Sequence, residues 1–221
     1  MTSKWIDLSK SITSSMLVYP TDPVVEITDV YTIAKDGFNL KKITTVMHVG
    51  THLDAPLHFI EGGDDVASIA IDKVIGYANK IRVSPNQCGI LTTASIAKAY
   101  NHINRKQHKL LIDTGWEIEG KGADYFTGFY GFEPSFFDFV KQYQLELIGT
   151  DMPSIKYNFS DQERAHVDLL GEKIVLVESM VNLDKLNDTF WLVCLPLKWI
   201  GMEASIVRAV ASTKKPSVFN W

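Results

Sequence analysis

Apolar and polar residues alternate or cluster in short runs along this chain, and these runs predict β-strands. Lys80-Ile81-Arg82-Val83 alternates between charged and apolar side chains, which is typical of a half-buried strand. Longer, mostly apolar runs predict buried strands at 109–115, 145–149, 173–177 and 190–198. Shorter runs at 5–8, 24–27 and 43–47 add further strands. About eight or nine short strands are therefore expected.

Helical spacing of apolar residues occurs in fewer places. Thr92 or Thr93 can cap a helix that runs to Ile103 along one apolar face. Pro134 suits the first turn of a second helix, whose aromatic stripe ends at Tyr143. Many strands beside two or three helices predict an α/β fold with a mixed, barrel-like sheet and flanking helices on one side.

Composition and charge narrow the class of protein. The 221 residues are 46% hydrophobic and 22% charged, without a shift that marks a boundary, so we predict one globular domain over 1–221. A net charge of -4 without a basic cluster argues against binding to nucleic acid or to an anionic membrane. Two distant cysteines do not make a disulfide framework. The first seven residues lack the apolar core of a signal peptide, so a cytoplasmic location is expected.

The clearest functional signal lies in residues 48–58. The run His48-Val49-Gly50-Thr51-His52-Leu53-Asp54-Ala55-Pro56-Leu57-His58 holds three of the chain's six histidines and one aspartate. Imidazole nitrogen and carboxylate oxygen together suit zinc and similar ions, whereas calcium and magnesium prefer oxygen alone. The run therefore predicts a transition-metal site. His102 and His108 lack such neighbours and are predicted to lie on the surface.

Local sequence indicates how the run is presented. A helical H-E-x-x-H site is excluded, because Val49 stands where that motif needs glutamate and Pro56 disfavours a helix. Since the β-branched run 43–47 comes first, we place His48 at a strand end and the other candidate ligands on the following loop. Gly50 would let the backbone turn tightly beside the ion.

The same residues carry a family resemblance. The pattern H-x-G-T-H-x-D-x-P-x-H resembles the signature of the cyclase family of metal-dependent hydrolases, which includes bacterial kynurenine formamidases and isatin hydrolases. Further segments resemble that family: G-T-D-x-P-S at 149–154, A-H-x-x-L-L around His166, and I-x-x-x-E ending at Glu178. The resemblance spans nearly the whole chain. It implies a swivelling β/β/α fold, assembled as a homodimer or homotetramer.

The resemblance also implies a ligand set. His48, His52 and Asp54 would hold a first divalent ion and His166 a second, with Asp54 and Glu178 bridging them. One or two ions are expected per chain, zinc first and manganese as the alternative. Asp151 either orients a ligand histidine or caps a turn.

Two residues are assigned to the reaction itself. His58 belongs to the motif without being needed for the first ion, so we predict that it acts as general base and acid, with a further metal ligand as the alternative. Tyr19-Pro20-Thr21-Asp22 stands where kynurenine formamidases commonly have W-P-G-D, and the resemblance makes Tyr19 a substrate-binding residue. Asp113 stands where these enzymes often have arginine.

These assignments predict an enzyme acting on a small-molecule amide. A divalent ion lowers the pKa of its bound water towards ~7 and polarises a carbonyl, which suits amide hydrolysis. By resemblance the substrate is N-formylkynurenine or a similar N-formylated aromatic amine. The alternatives are a hydrolase of a cyclic amide or lactone, as in isatin hydrolase, and a non-catalytic member that binds a metal or ligand.

Overall fold

A nine-stranded mixed sheet forms the centre of the computed structural model, which describes residues 5–120, 122–158 and 163–213. The strands are β1 (Trp5–Asp7), β2 (Glu26–Tyr31), β3 (Leu40–Thr44), β4 (His52–Asp54), β5 (Ile75–Arg82), β6 (Ile90–Leu91), β7 (Lys109–Asp113), β8 (Gly131–Phe132), β9 (Leu147–Thr150), β10 (Val175–Glu178), β11 (Thr189–Val193), β12 (Ala204–Ile206) and β13 (Val210–Ser212). The helices are α1 (Ile33–Asp36), α2 (Ile71–Val74), α3 (Thr93–Asn101), α4 (Trp116–Glu119), α5 (Phe136–Gln142) and α6 (Arg164–Gly171). Short 3-10 turns occur at Pro56–His58, Val66–Ser68, Gly122–Phe126 and Leu183–Lys185.

The strand order in the large sheet is β1-β13-β11-β5-β7-β9-β10-β4-β12. The central strands β5, β7, β9 and β10 run parallel to one another, and all other pairs in this sheet are antiparallel. Strands β2 and β3 form a separate two-stranded sheet, and strands β6 and β8 form another. The predicted α/β class with a mixed sheet is therefore confirmed.

Both faces of the central strands are buried. In β7, Leu110 and Ile112 pack with α3, α5 and α6, whereas Leu111 faces a second core. That second core lies inside the curl of the sheet, where Leu53, Val177 and Phe190 meet. The period-2 pattern of a strand thus supplies two apolar layers. The three longer helices share one face, as predicted.

Predicted boundaries agree with the structure only in part. Helix α3 begins after Thr92, whose Oγ1 accepts a hydrogen bond from the Ser95 amide at 3.2 Å. Strand β5 begins five residues before the alternating run 80–83 that predicted it. Residues 75–79 pair with β11, although their sequence does not alternate. Helix α6 ends at Gly171, and the first residue with a left-handed conformation after it is Lys173, at φ 58°.

Within the described ranges, none of the helices has the length and apolar character needed to cross a membrane. The predicted domain runs from 1 to 221, and its ends, 1–4 and 214–221, lie outside the described residues.

Candidate metal centre

Strand β4 carries two of the predicted ligands. His52 and Asp54 are two residues apart, so both point to the same face of the sheet, and Leu53 points to the core on the other face. Strand β4 pairs with β10 on one side and β12 on the other, which places Glu178 directly opposite His52. All three residues of β4 are buried, because the strand is paired on both sides.

This placement corrects the expectation that His52 and Asp54 lie on a loop. The strand is only three residues long, and its partners lie more than 120 residues away in sequence, at 176–178 and 204–206. Periodicity cannot reveal so short a strand. The preceding strand β3 ends at Thr44, so His48 lies in the bend between the strands and not at a strand end.

The bend at 47–51 sets the orientation of the first two histidines. Gly50 has φ 60°, a left-handed conformation that glycine adopts without strain, as predicted. The carbonyl oxygen of Gly50 lies 3.0 Å from His52 Nδ1, which directs Nε2 of the same ring towards the carboxylates.

Asp54 is common to two groups of potential ligands. One group is His48, Asp54 and His58, and the other is His52, Asp54 and Glu178. His48 Nδ1 lies 3.2 Å from Asp54 Oδ1, and His52 Nε2 lies 3.4 Å from Glu178 Oε2. A carboxylate has two oxygens with free lone pairs, so Asp54 has the chemistry to contact two ions.

His166 joins this cluster from helix α6. Its Nε2 lies 3.2 Å from Glu178 Oε1 and 3.9 Å from Asp54 Oδ2. Glu178 Oε1 also accepts a hydrogen bond from the Ile155 amide at 2.9 Å, which fixes the carboxylate. The structure therefore brings together all five residues that the sequence proposed as ligands; their binding of an ion stays a prediction.

Buried polar atoms test whether these residues suit a metal ion. Atoms without a hydrogen-bond partner in the described part of the chain include both carboxylate oxygens of Asp54, His48 Nε2, His52 Nε2 and His166 Nδ1. Leaving such groups buried and unpaired is costly, and native proteins pair nearly all of them. Neutral imidazole and carboxylate are ligands for a borderline divalent ion, so the donor set fits.

The charges in the cluster also favour a divalent ion. Burial opposes ionisation of Asp54, but the adjacent imidazole of His48 and the nearby charge of His52 hold the pKa of Asp54 below its usual range. Burial also opposes protonation of His52, yet the adjacent carboxylates of Glu178 and Asp54 raise its pKa to about 9. The cluster therefore keeps its carboxylates ionised and attracts positive charge, which a divalent ion can supply in place of protons.

His58 faces this cluster from the 3-10 turn Pro56–His58. Its ring stacks on that of His48 with 4.1 Å between centroids. Burial, together with the charges of His48 and His166, lowers the pKa of His58 to about 4, so the ring is neutral at neutral pH. A general base and a metal ligand both need a neutral imidazole. Because His58 falls in a ligand group with His48 and Asp54, the two predicted roles stay open.

A cleft of about 340 Å³ opens onto the cluster. Aromatic side chains line part of it, namely Tyr19, Phe59, Phe126 and Phe129, and polar side chains line another part, namely Asp22, Ser154, Lys156 and Glu163. Tyr19 packs edge-on against Phe126 with 5.7 Å between ring centroids, and Phe59 stacks on His166 at 4.8 Å. Tyr19 thus lies where a substrate contact is possible, and its role stays a prediction.

The sequence missed some neighbours of the cluster. Glu203 Oε1 lies 3.5 Å from His48 Nε2, because the pairing of β12 with β4 sets the adjacent Ala204 opposite Asp54. No local motif marks Glu203. Phe59 directly follows the histidine run, and that adjacency was a usable signal.

Other polar residues lie where the simpler expectation put them. Asp151 Oδ1 accepts hydrogen bonds from the Thr114 amide at 2.9 Å and from Thr114 Oγ1 at 2.7 Å, so Asp151 caps a turn. His102 and His108 are exposed, as predicted.

Comparison with known proteins identifies the family of this chain. The family model described as "Putative cyclase" matches residues 6–157, more than half of the chain. A kynurenine formamidase of Geobacillus thermodenitrificans (strain NG80-2) is 32% identical over 213 residues, covering 95% of this chain and 97% of that protein. A kynurenine formamidase of Bacillus anthracis is 29% identical over 214 residues, covering 95% of this chain and 97% of that protein.

Solved structures share the fold. Isatin hydrolase A from Labrenzia aggregata, bound to benzyl benzoate, superposes with a TM-score of 0.83 at 21% identity over 96% of this chain and 94% of that one. A structure described as a potential metal-dependent hydrolase with cyclase activity superposes with a TM-score of 0.79 at 21% identity, covering 97% of this chain and all of that one (100%). The family model and the 32% identical kynurenine formamidase show that the chain belongs to the cyclase family.

Proposed function

We propose that this protein is a divalent-metal-dependent amidohydrolase that removes the formyl group from an N-formylated aromatic amine such as N-formylkynurenine. The observation that carries the proposal is the position of Asp54, which is shared by two groups of buried ligand-type side chains. Relatives named kynurenine formamidase, similar over 95% of the chain, support the substrate class.

The ions would be held by residues from four parts of the chain. His48 and Asp54 form one side of the cluster, and His52, Asp54, Glu178 and His166 form the other. This division differs from the one that the resemblance implies, in which His52 holds the first ion with His48. Zinc is the ion we propose, with manganese as the alternative, because both accept nitrogen and oxygen ligands. When bound, a divalent ion acidifies water and polarises a carbonyl oxygen.

The chain's own side chains would supply the proton transfer and the positioning. Tyr19, Phe126 and Phe129 offer aromatic faces to the arene of the substrate. The neutral imidazole of His58 would take a proton from water as the oxygen bonds to the formyl carbon. It would return that proton to the nitrogen as the C–N bond breaks, which releases formate and the free aryl amine.

The test measures metal content and turnover together. Purified protein is analysed for zinc and manganese per chain, and hydrolysis of N-formylkynurenine is followed before chelation, after chelation and after metal is restored. We expect one or two ions per chain and turnover that chelation abolishes. A metal-loaded protein that leaves N-formylkynurenine intact and opens isatin instead would overturn the proposal, and turnover of neither would indicate a binding protein.

Substitution of His58 separates its two possible roles. His58→Ala should lower kcat by about 10²- to 10⁴-fold while metal content is unchanged if the residue is a general base. Loss of an ion from the same variant would identify His58 as a ligand. His102→Ala, at an exposed helix end, is the matched control and should change neither measurement.

A further inference from the structure

Lys156 is a cation in the wall of the cleft, and the assigned chemistry does not use it. Its ammonium group lies 4.0 Å from the centre of the Phe129 ring, and both side chains line the cleft. In the described part of the chain, no carboxylate oxygen lies within ion-pair distance of its Nζ. By contrast, the surface lysines Lys41 and Lys173 each pair with an aspartate.

The backbone holds Lys156 close to the ligand cluster. The preceding residue, Ile155, donates its amide hydrogen to Glu178 Oε1 at 2.9 Å. The carbonyl oxygen of Lys156 accepts a hydrogen bond from the Phe132 amide at 2.8 Å. Consecutive Cα atoms are about 3.8 Å apart, so this lysine starts one residue away from a peptide group that contacts a predicted metal ligand. A ligand held at the cluster lies in the same cleft as the ammonium group, because Lys156, His52 and Glu178 all line that cleft.

Partial burial without a counter-ion leaves this cation under-compensated. Burial lowers the pKa of Lys156, and among the described residues no neighbouring charge offsets this effect. A half-desolvated ammonium gains from an anionic partner, and a carboxylate forms charge-assisted hydrogen bonds with it. Asp22 and Glu163 line the same cleft, and they suit the ammonium group of an amino-acid-like molecule.

We propose that Lys156 is the anion-binding residue of the cleft and selects aromatic amides that carry a carboxylate group. The reacting amide is taken from the proposed function, on which this inference rests to that extent. The carboxylate would sit on Lys156 while the amide lies at the ligand cluster and the arene contacts the aromatic wall. A neutral ring such as isatin would leave Lys156 without a partner.

Matched substrates test this selection. We would compare N-formylkynurenine with N-formylkynuramine, which has the same formamide and arene but lacks the carboxylate. Lys156→Ala should lower kcat/KM for the carboxylated substrate by about 10- to 100-fold, mainly through KM, and leave the other substrate within about twofold. Lys156→Arg keeps the charge and should recover most of the loss. Lys98→Ala, an exposed lysine on helix α3, is the control and should change neither value.

A binding measurement keeps the inference independent of turnover. Calorimetry with metal-loaded protein would compare kynurenine with kynuramine, neither of which can be hydrolysed at a formyl group. Lys156→Ala should weaken the binding of kynurenine about tenfold or more and leave kynuramine unchanged. Circular dichroism and metal content verify that the variant is folded, and Lys156→Gln provides a second neutral side chain of similar length.

The outcomes separate the two proposals. Equal affinity of the wild type and Lys156→Ala for kynurenine, or equal losses with both substrates, would overturn the role of Lys156 and leave the formamidase proposal intact. Absence of formamide hydrolysis together with Lys156-dependent binding of carboxylates would overturn the formamidase proposal and leave the anion site.

Discussion

Two neighbouring segments of the chain differ sharply in burial and in strand pairing with the rest of the molecule. The arm, residues 26–44, contains β2 and β3, which pair with each other in a sheet of their own. Ten of the eleven residues in these two strands are exposed, and only Ile27 is partly buried. Eight residues after the arm, strand β4 begins, and all three of its residues are buried between β10 and β12.

The contrast shows where the candidate site gets its rigidity. His52 and Asp54 are fixed by hydrogen bonds to strands on both sides, and a ligand cluster needs such support to keep its geometry. The arm is a hairpin with a register shift between Asp29 and Tyr31 and has no buried layer, and an isolated two-stranded sheet is marginally stable in water. The sequence locates the peripheral arm strands only approximately, at 24–27 and 43–47 against the observed 26–31 and 40–44, and it does not reveal the central strand β4 at all.

The largest effect is expected from removing the charge of Asp54. Asp54→Asn keeps the size of the side chain but removes a carboxylate shared by both ligand groups. Loss of ~4 kcal/mol of transition-state stabilisation corresponds to a fall in kcat on the order of 10³-fold. Elemental analysis should show reduced metal, and added zinc should raise the Tm of the wild type but not that of the variant.

Asp113→Asn is the matched control for this change. Asp113 also ends a buried strand, β7, but it pairs with Arg82 away from the cluster. Its substitution should leave metal content unchanged while lowering stability. If Asp54→Asn kept its metal content and its turnover, strand β4 would be no more important for function than the arm.

A second effect is expected on the stability of the metal-free protein as the pH rises. His52 has a folded-state pKa of about 9, raised from 6.5. Its protonation therefore contributes stability that is fully present below pH 6.5 and is lost as the pH rises through 9. The loss should amount to about 3 kcal/mol at most, measured by urea unfolding of chelated protein at pH 6 and pH 9.5.

The metal-loaded protein is the comparison for that titration. A divalent ion binds deprotonated imidazole, so the loaded protein should not lose stability over the same interval. The arm contains no histidine and should not contribute to the difference. Parallel curves for the loaded and chelated protein would show that the cluster is not coupled to folding in this way.

Sequence reasoning succeeded where the chemistry was local. Helix α3 was predicted from a capping threonine and a single apolar face, and four candidate site residues came from one run of eleven. His166 and Glu178 required a family resemblance, since a single histidine or a strand-end acid has no distinctive signal. Lys156 and Glu203 were missed because no local motif marks them. Pairing of β12 with β4 brings Glu203 beside the cluster, and the tertiary fold places Lys156 in the wall of the cleft.

The smallest effect on the chemistry is expected from the arm, whose apolar side chains have no cover within the described chain. Exposed ones are Val30, Tyr31, Ile33, Phe38, Leu40 and Ile43. We propose that a second copy of this chain covers them, in the predicted homodimer or homotetramer, because apolar patches of this kind mark interfaces. Ile43→Glu should then shift the mass in light scattering towards the 24.8-kDa monomer, with metal content unchanged.

Ile118→Glu is the matched control, because Ile118 is 64% exposed on helix α4 and Ile43 is 60% exposed on the arm. Only the arm variant should dissociate, since a new charge is costly only where a partner buries it. A wild-type protein that is already monomeric, or an Ile43→Glu variant that keeps the wild-type mass, would contradict this role. Dissociation accompanied by loss of metal would instead couple the arm to β4, because the bend that carries His48 begins three residues after the arm ends.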